Sequence, residues 1–148
     1  MKRNDDMDES VNSVGYDREY TPSRISSLKE NEIFVFGSNI GGRHGGGAAR
    51  FAFNCFGAEW GVGEGLTGQC YALPTMEVGV DYVKGKVETF LDCARQHPEK
   101  KFLVTPIGCG IAGFSVDEIG PLFKDAIEME NVILPKEFVD AIGKGTRT

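Results

Sequence analysis

Four short apolar runs recur along the chain, and segments with a helical pattern separate them. Residues 33–36 (IFVF) are the clearest run, since β-branched and aromatic residues follow one another with no polar residue between them. A run of this kind is typical of a strand buried on both faces, as in a parallel sheet. The other three runs are residues 71–73, 102–104 and 132–134. The alternation predicts an α/β fold: a single three-layer domain with a mostly parallel, mixed sheet and helices on both faces.

The intervening segments carry the start and stop signals of helices. Residues 48–56 have apolar side chains at helical spacing, and Gly57 follows as a C-terminal cap. Asp81 is the predicted cap of the next helix, and Ser115 with Glu118 forms a capping box for the third. Pro121 interrupts this third pattern, which predicts a kink or a restarted helix. Residues 135–142 are predicted as a short terminal helix, and residues 59–68 as a glycine-rich loop.

Length and charge limit the class of protein. A chain of 148 residues fits one domain, and a net charge of −6 disfavours binding to nucleic acid through bulk charge. No apolar run approaches the roughly 18 residues that span a bilayer, and the first residues carry no apolar signal segment. We therefore expect a cytoplasmic protein with no membrane contact. Residues 1–24 are predicted as a polar, partly disordered tail, and residues 25–148 as the domain.

The metal-ligating residues are few. The four cysteines form no CxxC pair, and the chain has only two histidines. This composition predicts reduced thiols, no metal site and no cofactor.

Two glycine-rich loops follow predicted strands, at residues 37–47 and 106–114. Because the carboxyl ends of parallel strands meet at one edge of the sheet, both loops are expected at the same crevice. Glycine allows close backbone approach, and consecutive N–H groups beside a helix start attract anions. The alternative for either loop is a tight turn without a ligand. Neither loop matches the P-loop or the dinucleotide-binding glycine pattern, so together they favour a diphosphate-containing ligand of another kind.

Several motifs, in order, resemble those of the macrodomain family, in a short bacterial or phage-type form. The strand at residues 33–36 runs into Ser38-Asn39, and the sequence GGGAA follows at residues 45–49. GEG at residues 63–65, YALP at 71–74 and PIGCGIAGF at 106–114 complete the resemblance, which covers residues 33–134. It implies a macrodomain-like fold and a pocket for ADP-ribose or a related NAD-derived nucleotide metabolite, a small-molecule ligand.

The resemblance also implies a set of ligand-binding residues. Asn39 would bond the distal ribose, or instead staple its loop as an Asx-turn. Phe114 would pack against a sugar, or instead belong to the core. The full implied set is Asn39, Gly45, Gly46, Gly47, Gly108, Cys109, Gly110, Ile111, Ala112, Gly113 and Phe114.

The positions that carry catalysis in related hydrolases differ here. Ala48 and Ala49 stand where one branch has an Asp, and Arg50 stands where another has a nucleophilic Lys. Arginine stays protonated and cannot act as an amine nucleophile. His44 and Glu64 are the remaining catalytic candidates. His44, among glycines, is expected outside the core, either as a general acid or base or simply exposed to solvent, and for Glu64 a solvated side chain is the favoured alternative. Binding is the leading prediction, a hydrolase or phosphatase acting on such ligands is the alternative, and an interaction protein with a vestigial pocket is the third.

Overall fold

A five-stranded mixed sheet forms the centre of the protein, as seen in a computed structural model that describes residues 18–76, 78–110 and 112–145. The strands are β1 (Glu32–Ser38), β2 (Gly65–Thr67), β3 (Cys70–Pro74), β4 (Lys101–Val104) and β5 (Val132–Ile133), in the spatial order β2-β3-β1-β4-β5. All neighbouring pairs are parallel except β2 with β3. The predicted single α/β domain with a mostly parallel, mixed sheet is confirmed.

Four helices and one 3-10 segment accompany the strands, and the last helix follows β5. They are α1 (Gly47–Cys55), α2 (Val80–Gln96), α3 (Val116–Ile119), the 3-10 segment Gly120–Glu128, and α4 (Lys136–Gly145). The predicted change at Pro121 is confirmed, since α3 ends at Ile119 and the 3-10 segment follows with the proline in its first turn. The prediction that Asp81 caps α2 is wrong: the cap is Gly79, and Asp81 lies in the first turn. Among the described helices, none has the length and apolar character that crossing a membrane requires.

The sheet buries apolar residues on both faces. Ile33 and Val35 of β1 belong to a large cluster shared with α2, the 3-10 segment and α4. Phe34 and Phe36 point the other way, into a smaller cluster with Ala52 of α1. This alternation along one strand explains why β1 shows no polar residue in its centre: both of its faces are covered.

An extended N-terminal segment covers part of the face that α1 leaves open. The Thr21 N–H donates to the Leu134 carbonyl at 2.9 Å, and its Oγ1 donates to the Ile133 carbonyl at 3.0 Å. Ile25 and Leu28 then pack against the smaller cluster. Tyr20 and Thr21, which we predicted as part of the tail, thus contact the edge of the sheet. The rest of the predicted tail lies outside the described residues.

The loop predicted at residues 59–68 contains a strand that sequence analysis missed. Leu66 of β2 pairs with Tyr71 of β3, and Gly68 (φ 56°) begins the two-residue turn between the strands. All three residues of β2 are half-buried, so the strand shows no period-two pattern. Its only local signal was the glycine of a tight hairpin turn.

Candidate functional site

One cavity of about 450 Å³ lies at the carboxyl ends of β1, β3 and β4, and both glycine-rich loops line it. From the first loop it receives Asn39, Arg43 and residues 45–49. From the second it receives residues 106–108, Gly110 and Ala112. The structure therefore brings the two loops together as expected from their positions after parallel strands.

Helix α1 begins at this cavity without a side-chain cap. Its N-cap is Gly46, which has no side-chain oxygen, and the first intrahelical bond is from the Arg50 N–H to the Gly46 carbonyl at 3.2 Å. The N–H groups of the first turn have no intrahelical partner, and Gly47, Ala48 and Ala49 all line the cavity. Such a helix start carries partial positive charge and suits an anion.

The second loop closes mostly on itself. The Phe114 N–H donates to the Gly108 carbonyl at 2.8 Å, and the Gly113 N–H donates to the Gly110 carbonyl at 3.0 Å. At Gly108 (φ 76°), a Cβ would come within 3.3 Å of Phe114 and Ile119, so this position requires glycine. The helix that follows contributes less than predicted, because α3 has four residues and the Ser115–Glu118 capping box already occupies its start. The contribution of this loop to the cavity is its own backbone.

The Asn39 side chain staples the first loop. Its Oδ1 accepts the Arg43 N–H at 2.8 Å, and its Nδ2 donates to the Arg43 carbonyl at 2.8 Å. These bonds match the loop-stapling alternative. The same residue also lines the cavity, together with Arg43, whose side chain has no ion pair among the residues that the structure describes.

His44 lies in the core, and the prediction that it stands outside the core is wrong. It is 1% exposed, packs against Phe36, Phe53 and Trp60, and does not line the cavity. Its Nε2 lies 2.8 Å from the Glu59 carbonyl, so Nε2 carries the proton, since a carbonyl only accepts. Nδ1 is buried with no partner among the described residues. The side chains that bury His44 come from separate segments of the chain, so the local sequence around His44 did not indicate its burial.

Glu64, the second catalytic candidate, lies away from the cavity lining and pairs with α2. Its Oε1 accepts from Lys86 Nζ at 2.8 Å, and this bond is the main reason why the pKa of Lys86 is raised. Both side chains are about one-third exposed, at 27% and 34%. Neither His44 nor Glu64 is therefore among the described residues that line the cavity.

Three members of the implied ligand set stand back from the cavity. Cys109, Gly113 and Phe114 are not among its described lining residues, and Phe114 packs against the large core cluster instead. Burial, followed by the charges of Glu137 and Glu118, raises the pKa of the Cys109 thiol, which disfavours a reactive thiolate. Ile111 lies outside the described residues.

Three hydroxyl residues that sequence analysis did not select also line the cavity. Ser38 ends β1, Thr75 follows β3 and Thr105 follows β4. Ser38 Oγ donates to the Gly63 carbonyl, and Thr105 Oγ1 donates to the Val35 carbonyl at 2.7 Å. Their shared signal was position: each follows the end of a predicted strand by one or two residues, where ligands bind in such sheets.

The first glycine-rich loop and residues 61–63 pack closely at two glycines. A Cβ on Gly42 would collide with the backbone of Gly61 and Val62, and a Cβ on Gly63 would collide with the carbonyls of Asn39 and Ile40. Gly42 also has φ 68°, a conformation that favours glycine. The first glycine-rich loop is therefore held against residues 61–63 by direct backbone packing.

A second cavity of about 640 Å³ adjoins the first. The two share Gly47, Ala48, Thr105 and Pro106 in their linings. Its lining includes the apolar and aromatic residues Ile25, Phe34 and Phe51, and the charged residues Lys136 and Glu137 also line it. The two cavities are therefore adjacent, the first with a polar, glycine-rich lining and the second with a largely apolar one.

Comparison with known proteins adds no assignment: no family model, no curated protein and no solved structure matches this chain. In the residues that the structure describes, no group of three or more His, Cys, Asp or Glu side chains is placed to hold a metal ion.

Proposed function

We propose that the protein binds ADP-ribose, or a closely related NAD-derived nucleotide metabolite, in the crevice between the two glycine-rich loops. The observation that carries this proposal is the uncapped start of α1, where Gly46 caps the helix and residues 47–49 line the cavity. Unpaired N–H groups at a helix start, next to the glycine-rich backbone of the second loop, suit the two phosphate groups of a diphosphate.

The charge at the cavity agrees with an anionic ligand. The chain carries a net charge of −6, yet the described residues that line the first cavity include Arg43 and no aspartate or glutamate. The remaining polar lining is neutral: Ser38, Asn39, Thr75 and Thr105. An electropositive pocket on an acidic protein selects anions locally while the rest of the surface repels polyanions such as nucleic acid.

The second cavity supplies room for the remainder of a nucleotide. With the first cavity holding the diphosphate, the shared residues Gly47, Ala48, Thr105 and Pro106 would lie at the junction with a nucleoside. Phe34 and Phe51 give this half aromatic surface, and base–aromatic contacts accept any flat ring. Cavity volumes of about 450 and 640 Å³ are within the range of small-molecule sites.

Binding fits the lining better than hydrolysis does. None of the described residues that line the first cavity is a His, Asp, Glu, Lys or Cys, the groups that usually transfer protons in enzymes, and the described lining of the second cavity adds only Lys136 and Glu137 of these types. His44 is sealed in the core, and Glu64 pairs with Lys86. Arg50 is exposed on α1 and lies outside the lining. We therefore favour a binding module over an enzyme.

Titration calorimetry with ADP-ribose, AMP and inorganic phosphate tests the proposal. ADP-ribose should bind most tightly, with one molecule per chain. Gly45→Val and Gly110→Val should weaken it by at least about tenfold, because a Cβ at either position meets no protein atom within 4 Å and so occupies open space at the lining. Gly85→Ala in α2, also free of contacts within 4 Å, is the matched control and should leave affinity unchanged.

Two results would reject the proposal. No binding of ADP-ribose by the folded wild-type chain would leave an interaction protein with a vestigial pocket. Steady release of ribose phosphate or of a modified group from ADP-ribosylated substrates would identify an enzyme instead.

A further inference from the structure

We propose that Arg43 is the specificity-determining cation of this site, selecting ligands with a diphosphate, and that Asn39 acts on the ligand only through Arg43, as a positioning residue. This inference rests on the proposed function. It assigns the cationic role to a residue that the family resemblance does not select, and it gives Asn39 a role other than a direct bond to ribose.

The first step is the fixed position of Arg43. Both of its peptide groups, N–H and carbonyl, bond the same Asn39 amide, each at 2.8 Å. The Gly42 N–H also donates to the Asn39 carbonyl at 3.0 Å, which closes the turn from the other side. The next residue, His44, is anchored in the core. The Cα of Arg43 is therefore held at the cavity edge before any ligand arrives.

The second step is the unused guanidinium. Arg43 is exposed and lines the cavity, and no carboxylate among the described residues pairs with it. Lys86 and Lys101, by contrast, are held in ion pairs, with Glu64 at 2.8 Å and with Glu19 at 2.7 Å. A guanidinium carries five N–H donors in a planar fork and can bond two phosphate groups at once. It consequently distinguishes a diphosphate from a monophosphate.

The third step concerns the capacity of Asn39. One lone pair of its Oδ1 and one hydrogen of its Nδ2 are committed to Arg43, in the orientation that holds the loop. Turning the amide toward a ribose would break the two bonds that hold the loop at the cavity. Removing Asn39 should therefore weaken ligand binding because Arg43 loses its position. The salt dependence of the affinity should then fall, as it does when the charge of Arg43 is removed.

Calorimetry over a series of salt concentrations separates these roles. Arg43→Gln should weaken ADP-ribose binding at least about tenfold at low salt and flatten the dependence of affinity on salt, since one charge contact is removed. Arg43→Gln should weaken AMP binding by a smaller factor than ADP-ribose binding. Arg50→Gln removes the same charge from an exposed position on α1 outside the lining, so it is the matched control and should change affinity little.

A double-mutant cycle tests the link between the two residues. Asn39→Ala should also flatten the salt dependence, and the Asn39→Ala/Arg43→Gln protein should bind no more weakly than Arg43→Gln alone. If Asn39→Ala does not fold, Asn39→Ser, which keeps a shorter acceptor, serves in its place. Arg43→Lys should retain most of the salt dependence but lose discrimination between ADP-ribose and AMP.

The outcomes distinguish this inference from the proposed function. If Arg43→Gln binds ADP-ribose as tightly as Arg50→Gln does, the role of Arg43 is overturned while the proposed function stands. Additive losses in the cycle, with the salt dependence of Asn39→Ala unchanged, overturn the positioning role and support a direct contact of Asn39 with the ligand. Absence of ADP-ribose binding in the wild-type chain overturns both proposals.

Discussion

The imidazole of His44 meets the ring of Phe36 edge to face, with the ring centroids 5.3 Å apart and an interplanar angle of 84°. Phe36 is a central residue of β1, and His44 belongs to the loop that follows the strand. The contact therefore fixes the middle of the first glycine-rich loop to the sheet. A histidine in this place works as a packed ring with one hydrogen bond, and its removal has a predictable cost.

We expect His44→Ala to lower the free energy of unfolding by about 2–4 kcal/mol, because a fully buried ring is replaced by a cavity. His44→Phe should cost clearly less, since it keeps a ring of similar size and removes the buried Nδ1 that has no partner among the described residues. Urea unfolding followed by tryptophan fluorescence measures both. Equal stability of His44→Ala and the wild type would contradict the burial of His44.

Glu64→Gln should have almost no effect on stability or ligand binding. The Glu64–Lys86 pair is part-exposed, and such pairs contribute about 0.2–1 kcal/mol. Its contribution should shrink further in high salt. Thermal melts at low and high salt check the first expectation, and ADP-ribose titration checks the second. A large loss of activity or binding in Glu64→Gln would restore Glu64 as a catalytic candidate.

Stability should fall steeply at high pH through Cys70. Burial raises the pKa of this thiol from 9.0 to about 12 in the folded protein. The folded state thus binds its proton more tightly than the unfolded state, so the stabilisation is complete below pH 9.0 and is lost as the pH rises toward about 12. Cys70→Ala should show a shallower decline over this range in denaturant titrations. The raised pKa of Tyr71, also caused mainly by burial, accounts for part of the decline that remains.

Thiol labelling gives an independent check on the same residue. The exposed Cys55 should react with a thiol reagent near neutral pH in the native protein, whereas Cys70 should react only after unfolding. Rapid native labelling of Cys70 would show that the segment covering β3 opens far more often than its packing indicates.

Thr21→Val should destabilise the protein by about 0.5–1.5 kcal/mol, because it removes the bond from Oγ1 to the Ile133 carbonyl and keeps the backbone bond to Leu134. Ser23→Ala, at a nearby exposed position, is the control and should be neutral. Melting temperatures of the two variants decide whether this segment is attached as firmly as its hydrogen bonds indicate.

The sequence was most informative where burial and position alone decide structure. The run at residues 33–36 became the central strand because a segment buried on both faces needs no polar residue. The capping box at Ser115 was readable because its partners are three residues apart. Both glycine-rich loops reached one cavity because the carboxyl ends of parallel strands share an edge.

What could not be predicted depends on contacts between distant segments. His44 was misplaced because Phe36, Phe53 and Trp60 surround it from different parts of the chain. Strand β2 was missed because three half-buried residues give no period. Ser38 and Thr75 were not selected because strand register, here Ser38 opposite Pro74, decides which side chains reach the crevice.

The interlock of Gly42 and Gly63 has a consequence for transplanting this site. Neither position has space for a Cβ, so the backbone of the first glycine-rich loop and that of residues 61–63 each constrain the conformation of the other. A graft of residues 37–47 onto a different α/β scaffold would lose the surface that shapes its curve, so residues 59–64 have to travel with it. In libraries made by randomising one of the two segments, functional clones should likewise retain glycine at both positions, whatever else changes.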